Sequence, residues 1–283
     1  MKNATDKKVS LGCYNTLKVV RKVDFGVYLD GGVDGDILMP QKYVPINAEI
    51  GDEIEAFVYA DSEDRLVATT EKTLAIVGQF AYLKVNSVTR FGAFLDWGLT
   101  KDLLVPYGEQ RSRMQVGESY VVYIYVDKNT RRIAASEKLL RYLDNVAPRY
   151  ENGDEVDILI FEHTNLGYKA IINNMHTGII YNSDVYKPLQ IGQQMKAYIA
   201  KVRDDDKIDL TLQKKGFAKV DVLRQTIVKR LKEHGGWMAV GDKTDPETIK
   251  LVFGCSKKAF KMTIGAMYKD GEISIDNNGI KLN

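Results

Sequence analysis

Pairs of aromatic residues around a glycine are the feature of this 283-residue chain whose residue types and spacing suggest a binding chemistry. Phe25-Gly26-Val27-Tyr28 and Phe91-Gly92-Ala93-Phe94 share the pattern, and the whole chain has 16 Tyr and 9 Phe. Abundant aromatic residues favour β structure and surfaces that stack against flat rings. Composition alone leaves open the alternative that Phe91 and Phe94 are core residues of a barrel.

Covalent and metal chemistry have few candidate residues. His163, His176 and His234 lack metal-ligand spacing, and Cys13 and Cys255 are too few for a disulfide framework. No nucleophile and base form an assembled set, so we expect no cofactor, no metal and no enzymatic activity. The net charge is +2, no apolar run approaches the roughly 18 residues of a membrane helix, and the N-terminus lacks a signal-peptide pattern. We therefore expect a cytoplasmic protein.

The chain repeats itself at an offset of 66 residues. A weaker third copy follows at an offset of 75, which becomes 76 near its end, so one residue has been gained. Copies of about 70 residues fit small domains better than solenoid units. The matched segments are Phe25–Asp30 with Phe91–Asp96, Ile37–Pro40 with Leu103–Pro106, Ala68–Lys72 with Ala134–Lys138, Gly78 with Gly153, Gly117 with Gly192, and Ala134–Lys138 with Leu210–Lys214.

Each copy has a β pattern. Residues 80–86 alternate an apolar face with a second face that carries Tyr82 and Lys84, and a period of two indicates a strand with one buried face. Five short strands in about 70 residues favour a small closed barrel, because closure removes exposed edges.

The pattern changes after Lys215. Apolar residues at helical spacing predict a helix over 220–231, and caps at Asp245 and Ser256 predict two more helices. Asn277-Asn278-Gly279 between two apolar triplets predicts a hairpin. Helix, strand, helix, helix and hairpin is the order of a winged helix.

The repeated block resembles the ribosomal-protein-S1-type RNA-binding domain, an OB-fold barrel. Three such copies before a winged helix resemble the bacterial conserved virulence factor B (CvfB-like) family over nearly the whole chain. The resemblance implies a mostly β protein with three tandem S1-type OB barrels at 1–75, 76–146 and 147–216, the third divergent, and an α+β winged helix at 217–283. The likeness is carried by Phe91–Leu95, Leu104–Pro106, Val126-Asp127 and Arg132–Ser136, and in the first copy by Phe25–Tyr28, Leu38–Pro40, Asp61 and Arg65.

The resemblance also implies the RNA-binding residues, since in S1-type domains the two aromatic residues stack on bases and an Asp and an Arg flank the site. Many such domains have a His where this chain has Pro40 and Pro106, so one family contact is missing. The residues carried over are Phe91, Phe94, Asp127 and Arg132 in the second copy and Phe25, Tyr28, Asp61 and Arg65 in the first. Apart from the resemblance, Tyr82 and Lys84 on the second face of the strand at 80–86 are further candidate RNA-binding residues.

The third copy departs most from the pattern, because Leu166-Gly167-Tyr168-Lys169 loses both aromatic positions. Three interpretations stay open: Tyr168, Tyr181 and Lys207 compensate, the barrel binds differently, or it is a spacer.

Charge is unevenly distributed along the chain. Net charge is −4 over 1–75, +3 over 76–146, −1 over 147–218 and +4 over 219–283. Because phosphate neutralisation supplies sequence-independent affinity, we expect the second barrel and the winged helix to bind more strongly than the first barrel. Lys257, Lys258 and Lys261 point off the apolar face of the third predicted helix and are candidate nucleic-acid contacts.

These patterns predict a non-catalytic RNA-binding protein whose single-stranded RNA partner lies along the barrels and the winged helix with loose base preference. The family resemblance implies a role in regulating bacterial gene expression. The alternatives are a DNA-binding regulator led by the winged helix, although its third helix has Lys rather than the Arg favoured for paired guanine contacts, and a protein-interaction scaffold.

Overall fold

The computed structural model describes residues 8–185, 188–212, 218–276 and 279–283, with side chains in the first helix from Leu223 on. The chain forms two compact units. One extends to Arg149 and adds Asp157–Met195 and Asp204–Lys207, and the other contains Tyr150–Val156, Lys196–Arg203 and Ile208–Asn283. Among the described residues, no helix is long and apolar enough to cross a membrane.

The first repeat is a closed five-stranded barrel. Its core contains inward-facing residues such as Val19, Leu29, Ile37 and Met39, all fully buried. The parallel pair that closes the barrel joins Leu38 to Val67. The strands are β1 (Tyr14–Val23), β2 (Gly26–Asp30), β3 (Asp36–Pro40), β4 (Glu53–Ala60) and β5 (Leu66–Thr69), in the order β1-β2-β3-β5-β4.

The second repeat has the same strand order but is only nearly closed, where the sequence predicted closure. Its third and fifth strands are the two ends of a hydrogen-bonded sheet, so the ladder that closes the first barrel is missing among the described residues. The strands are β6 (Phe80–Thr89), β7 (Gly92–Leu95), β8 (Leu103–Pro106), β9 (Ser119–Val126) and β10 (Ile133–Ser136), in the order β10-β9-β6-β7-β8.

The third repeat is again a closed barrel, which confirms the fold expected of the divergent copy. The strands are β11 (Glu155–His163), β12 (Gly167–Ile172), β13 (His176–Tyr181), β14 (Gln194–Val202) and β15 (Ile208–Thr211), in the order β11-β12-β13-β15-β14.

The C-terminal segment has the element order predicted for a winged helix. Helix α1 (Ala218–Glu233) precedes strand β16 (Trp237–Met238). Helix α2 (Pro246–Phe253) is capped by Asp245, and helix α3 (Lys257–Lys269) is capped by Ser256. Strands β17 (Ile273–Ile275) and β18 (Ile280–Leu282) pair antiparallel, as the hairpin pattern predicted.

The buried centre of this domain joins residues from all three helices and the hairpin, including Ile227, Ile249, Phe260 and Ile280. The hairpin turn at Asn277 and Asn278 lies outside the described residues, as do residues 213–217 with the predicted boundary at 216 and part of the connection Lys215–Lys219.

Candidate nucleic-acid interface

The structure brings the four candidate residues of the second barrel's motif together. Phe91, Phe94, Asp127 and Arg132 all line one cleft of about 430 Å³. The Phe91 side chain is 59% exposed and Phe94 is half-buried, so neither ring is sealed in the barrel core. The cleft is therefore accessible to a ligand with a flat apolar face.

A tight turn between β6 and β7 presents Phe91. The Thr89 hydroxyl accepts a hydrogen bond from the Phe91 backbone N–H at 3.2 Å. Gly92 follows at φ 149°, and a Cβ there would lie 2.2 Å from the Val105 carbonyl oxygen. Only glycine lets the two strands approach this closely while the neighbouring ring stays outside.

The cleft lies at the open seam of the barrel. Leu104 of β8 and Ile133 of β10 both line it, and they correspond by the 66-residue offset to Leu38 and Val67, which are paired in the first barrel. The missing ladder therefore coincides with the cleft.

The first barrel contributes to the same cleft, which the sequence reasoning missed. Tyr59 and Ala60 of β4 line it, and the Lys101 ammonium donates to the Ala60 carbonyl at 2.7 Å. Burial lowers the pKa of Lys101. Phe57 packs edge-on against Trp97, with ring centroids 5.5 Å apart, inside one shared apolar cluster. Residues so far apart in sequence meet only because the barrels dock.

Arg132 is held by a carboxylate of the first barrel. Its Nε and Nη2 donate to the two carboxylate oxygens of Asp64 at 2.6 and 2.8 Å. The Arg132 hydrogen bond lowers the pKa of Asp64, and Asp64 in turn raises the pKa of Arg132. Both side chains are more than half exposed, so the guanidinium still lies at the cleft surface with its charge paired.

Asp127 shapes a turn in this structure. Its Oδ1 accepts hydrogen bonds from the N–H groups of Asn129 and Thr130 and from the Thr130 hydroxyl. These bonds, led by the Thr130 N–H, lower the pKa of Asp127. The carboxylate at the cleft wall is thus occupied by its own loop and stabilises the turn between β9 and β10.

Two tyrosines of the cleft wall remain neutral over the physiological range. Burial is the main cause that raises the pKa of Tyr59 to about 12 and that of Tyr125 to about 12. Nearby carboxylates, Asp61 for Tyr59 and Asp127 for Tyr125, act in the same direction. Their rings therefore offer uncharged walls.

In the first barrel the motif arginine is also paired with carboxylates, while Arg21 lies 4.1 Å from the centroid of the motif ring Tyr28. Phe25 is 58% exposed and contacts Tyr28 edge-on at 6.5 Å between centroids. The Arg65 guanidinium is bound to Asp61 at 2.7 Å and to Glu63 at 2.9 Å. Carboxylates thus compete with any phosphate for this arginine.

Tyr82 and Lys84 do not join the cleft residues, although sequence reasoning placed them in the same candidate set. The Tyr82 ring lies against Gly192 of the third barrel, where a Cβ would be 2.1 Å from its Cδ1. The half of β6 that contains Tyr82 pairs with β9, whereas the half that leads into the Phe91 motif pairs with β7. Tyr82 therefore packs between barrels and away from the cleft.

The third barrel keeps the motif glycine without the rings. Leu166 is exposed at the position of Phe91, and Lys169 replaces Phe94 and binds Glu162 at 2.8 Å. Tyr168 is buried and stacks on His163, and the Lys207 ammonium lies 2.7 Å from Asp205. Compensation through Tyr168 is therefore unsupported, since its ring is covered.

The candidate lysines of the winged helix lie at the start of α3. Lys258 and Lys261 are exposed and Lys257 is half-buried. Lys261 lies 3.8 Å from Asp242, and neither Lys257 nor Lys258 has an ion-pair partner within the described part of the chain. Three ammonium groups on one helix turn could neutralise phosphates.

Family models match most of this architecture. The S1 domain model matches residues 11–71 and 77–136, the first two barrels. The CvfB-like winged helix domain model matches residues 225–282.

Relatives match along nearly the full chain. YitL of Bacillus subtilis, named an uncharacterized protein, is 26% identical over 285 residues, covering 98% of this chain and 95% of the relative. Conserved virulence factor B of Staphylococcus haemolyticus is 24% identical over 291 residues, covering 99% and 96%. A multidomain protein with nucleic acid binding domains from Streptococcus pneumoniae is 25% identical, with coverage of 96% of this chain and 98% of that one and a TM-score of 0.41.

S1 and winged-helix domains together support a nucleic-acid-binding role. The resemblance predicted from the motifs is confirmed: this chain contains S1 domains followed by a CvfB-like winged helix domain, and it is similar to proteins named Conserved virulence factor B over almost all of its length.

Proposed function

We propose that the protein is a non-catalytic, cytoplasmic RNA-binding protein that holds single-stranded RNA at the second barrel. Unpaired bases stack on Phe91 and Phe94, and basic residues of that barrel and of the winged helix bind phosphates. The role in regulating bacterial gene expression is inferred from the likeness to the CvfB-like family.

One observation carries the proposal: two phenylalanine rings line an accessible cleft in a barrel with a net charge of +3. A stacked base contributes about 1–3 kcal/mol per aromatic residue, and stacking tolerates every base because each has a π-face. Single strands expose those faces, whereas a duplex buries them.

The winged helix supports a second candidate, a DNA-binding regulator. Lys257, Lys258 and Lys261 begin α3, the helix that would enter the major groove. Lysines bind phosphate as point charges and lack the fork that makes paired contacts with guanine. This favours backbone contact, which either nucleic acid provides.

The test is a titration of labelled single-stranded RNA of about 12 nucleotides, within the range of OB-fold sites, over a series of salt concentrations. We expect log affinity to fall linearly with log salt. We also expect unlabelled single-stranded RNA to compete better than duplex DNA. Equal competition by duplex DNA would favour the DNA-binding regulator, and binding that is absent at every salt concentration would favour a protein-interaction scaffold.

A further inference from the structure

Two arginines beside the cleft lie over aromatic rings. The Arg90 guanidinium carbon is 4.7 Å from the centroid of the Phe91 ring, and that of Arg113 is 3.9 Å from the centroid of Tyr107. Both arginines are exposed and Tyr107 is half-buried. Each pair therefore presents positive charge fixed above a flat ring.

The two pairs are neighbours. The Tyr107 hydroxyl donates a hydrogen bond of 2.6 Å to the Thr89 carbonyl, one residue before Arg90. Tyr107 also directly follows Pro106, which lines the cleft together with Phe91. The Tyr107–Arg113 pair consequently continues the surface on which Phe91 lies.

Three other arginines of this barrel have carboxylate partners, whereas Arg131, at the turn before β10, has none among the described residues. Arg132 is bound to Asp64, Arg141 lies 3.2 Å from Glu109, and Arg111 lies 3.5 Å from Glu162. Arg90 and Arg113 have no ion-pair partner within the described residues. Their charge is therefore available to an incoming phosphate.

The first barrel provides an internal comparison. At the 66-residue offset it has Asp24 for Arg90, Gln41 for Tyr107 and Asn47 for Arg113. The loop between the third and fourth strands has the same length in both copies. The first barrel instead places cations over other rings, with Arg21 4.1 Å from the centroid of Tyr28 and Lys42 4.4 Å from that of Tyr43. The arrangement at Arg90, Tyr107 and Arg113 is therefore particular to the second barrel and is not needed to build the fold.

We propose that Arg90, Tyr107 and Arg113 form a second RNA subsite, which takes the nucleotide next to the one stacked on Phe91. This inference rests on the function proposed above. The base lies on the plane of the Arg113 guanidinium, which the Tyr107 ring supports from below, and Arg90 binds the phosphate between the two nucleotides. Unpaired bases stack on guanidinium planes as well as on aromatic rings.

The experiment measures the affinity of full-length protein for a labelled oligouridylate of about 12 nucleotides over a salt series. Arg113→Gln should weaken binding about fivefold or more, because it removes the plane on which the base stacks. Arg90→Gln should reduce the slope of log affinity against log salt by about 0.7, the value for one phosphate of a single strand. Arg113→Lys should recover only part of the affinity, because it keeps the charge and loses the plane.

Arg149→Gln is the charge-matched control. Arg149 is exposed and lies after the second barrel, outside the cleft lining. Its substitution should change the affinity less than Arg113→Gln does and the slope less than Arg90→Gln does.

Comparison with the Phe91→Ala, Phe94→Ala double variant separates the two proposals. If that double variant weakens binding while Arg113→Gln behaves like Arg149→Gln, the second subsite is wrong and the proposed function stands. If the wild-type protein does not bind the RNA, both are wrong.

Discussion

At the scale of single residues, the motif glycine shows why the pattern was informative. Gly26, Gly92 and Gly167 occupy the same position in three barrels, at φ 152°, 149° and 153°. In each, a Cβ would come within 2.0 to 2.2 Å of a carbonyl oxygen on the next strand. The glycine is therefore needed for strand approach even in the third barrel, where the aromatic residues are absent.

Gly92→Ala should lower the free energy of unfolding by about 2 kcal/mol or more, because its φ strains an L-residue and its Cβ meets the Val105 carbonyl oxygen. Denaturant unfolding measures this. Gly108→Ala is the control, since a Cβ there meets nothing within 4 Å. Equal stability of the two variants would contradict the strand-approach argument.

The ion pair between Asp64 and Arg132 gives a second prediction for single residues. Asp64→Asn should make RNA affinity more salt-dependent, with a slope steeper by about 0.7, because the freed guanidinium can bind one more phosphate. The RNA titration against salt measures the slope.

Glu63→Gln is the matched control, as it removes a carboxylate from the same turn that binds Arg65 and not Arg132. A slope that stays at the wild-type value in Asp64→Asn would mean that Arg132 acts only in docking the two barrels.

At the scale of elements, the strands could be predicted from the repeat because matched residues occupy equivalent positions in the strands of each barrel. The first strand of every barrel shifts register between matching residues, namely Val19 and Arg21, Val85 and Ser87, and Ile160 and Glu162. In the third barrel β14 also shifts register, between Ile199 and Lys201, and the turn after it is one residue shorter than in the second barrel. Leu210 therefore pairs with Ile199 as Ala135 pairs with Ile124, at an offset of 75 and not the 76 inferred from the sequence. A β-bulge accommodates one extra residue without changing the fold.

The open seam of the second barrel was not predictable from the repeat. Leu104 and Ile133 are as apolar as their counterparts Leu38 and Val67, and the missing ladder depends on backbone placement that no residue type signals. The position of the cleft is therefore known only from the structure, whereas the motif residues that line it could be predicted from the sequence.

The prediction at the scale of elements concerns the three lysines at the start of α3. Replacing Lys257, Lys258 and Lys261 by Ala should reduce the salt slope of RNA binding, by about 0.7 for each phosphate that the variant no longer neutralises. The same RNA titration over salt provides the slope. Replacing the exposed Lys229 and Lys232 of α1 is the control. A slope unchanged by the α3 substitutions would assign the winged helix to another partner.

At the scale of the whole molecule, docking of the first two barrels decides what the second can bind. Phe57 and Trp97 join their cores, Tyr59 of the first barrel lines the cleft of the second, and Asp64 binds the cleft residue Arg132. Sequence patterns describe each barrel separately, so they identified Phe91, Phe94 and Arg132 and missed the neighbouring barrel's contribution. Weak sites on one chain can also add through effective concentration when their connections are short.

The central claim is that the second barrel's exposed rings hold unpaired bases. The most direct measurement compares the RNA affinity of the Phe91→Ala, Phe94→Ala variant with that of the Phe25→Ala, Tyr28→Ala variant, with circular dichroism to verify folding. We predict a loss of at least about 1 kcal/mol for the second-barrel variant and a smaller loss for the first-barrel variant, because the first barrel has a net charge of −4 and the second +3. Wild-type affinity in the folded second-barrel variant would contradict the claim.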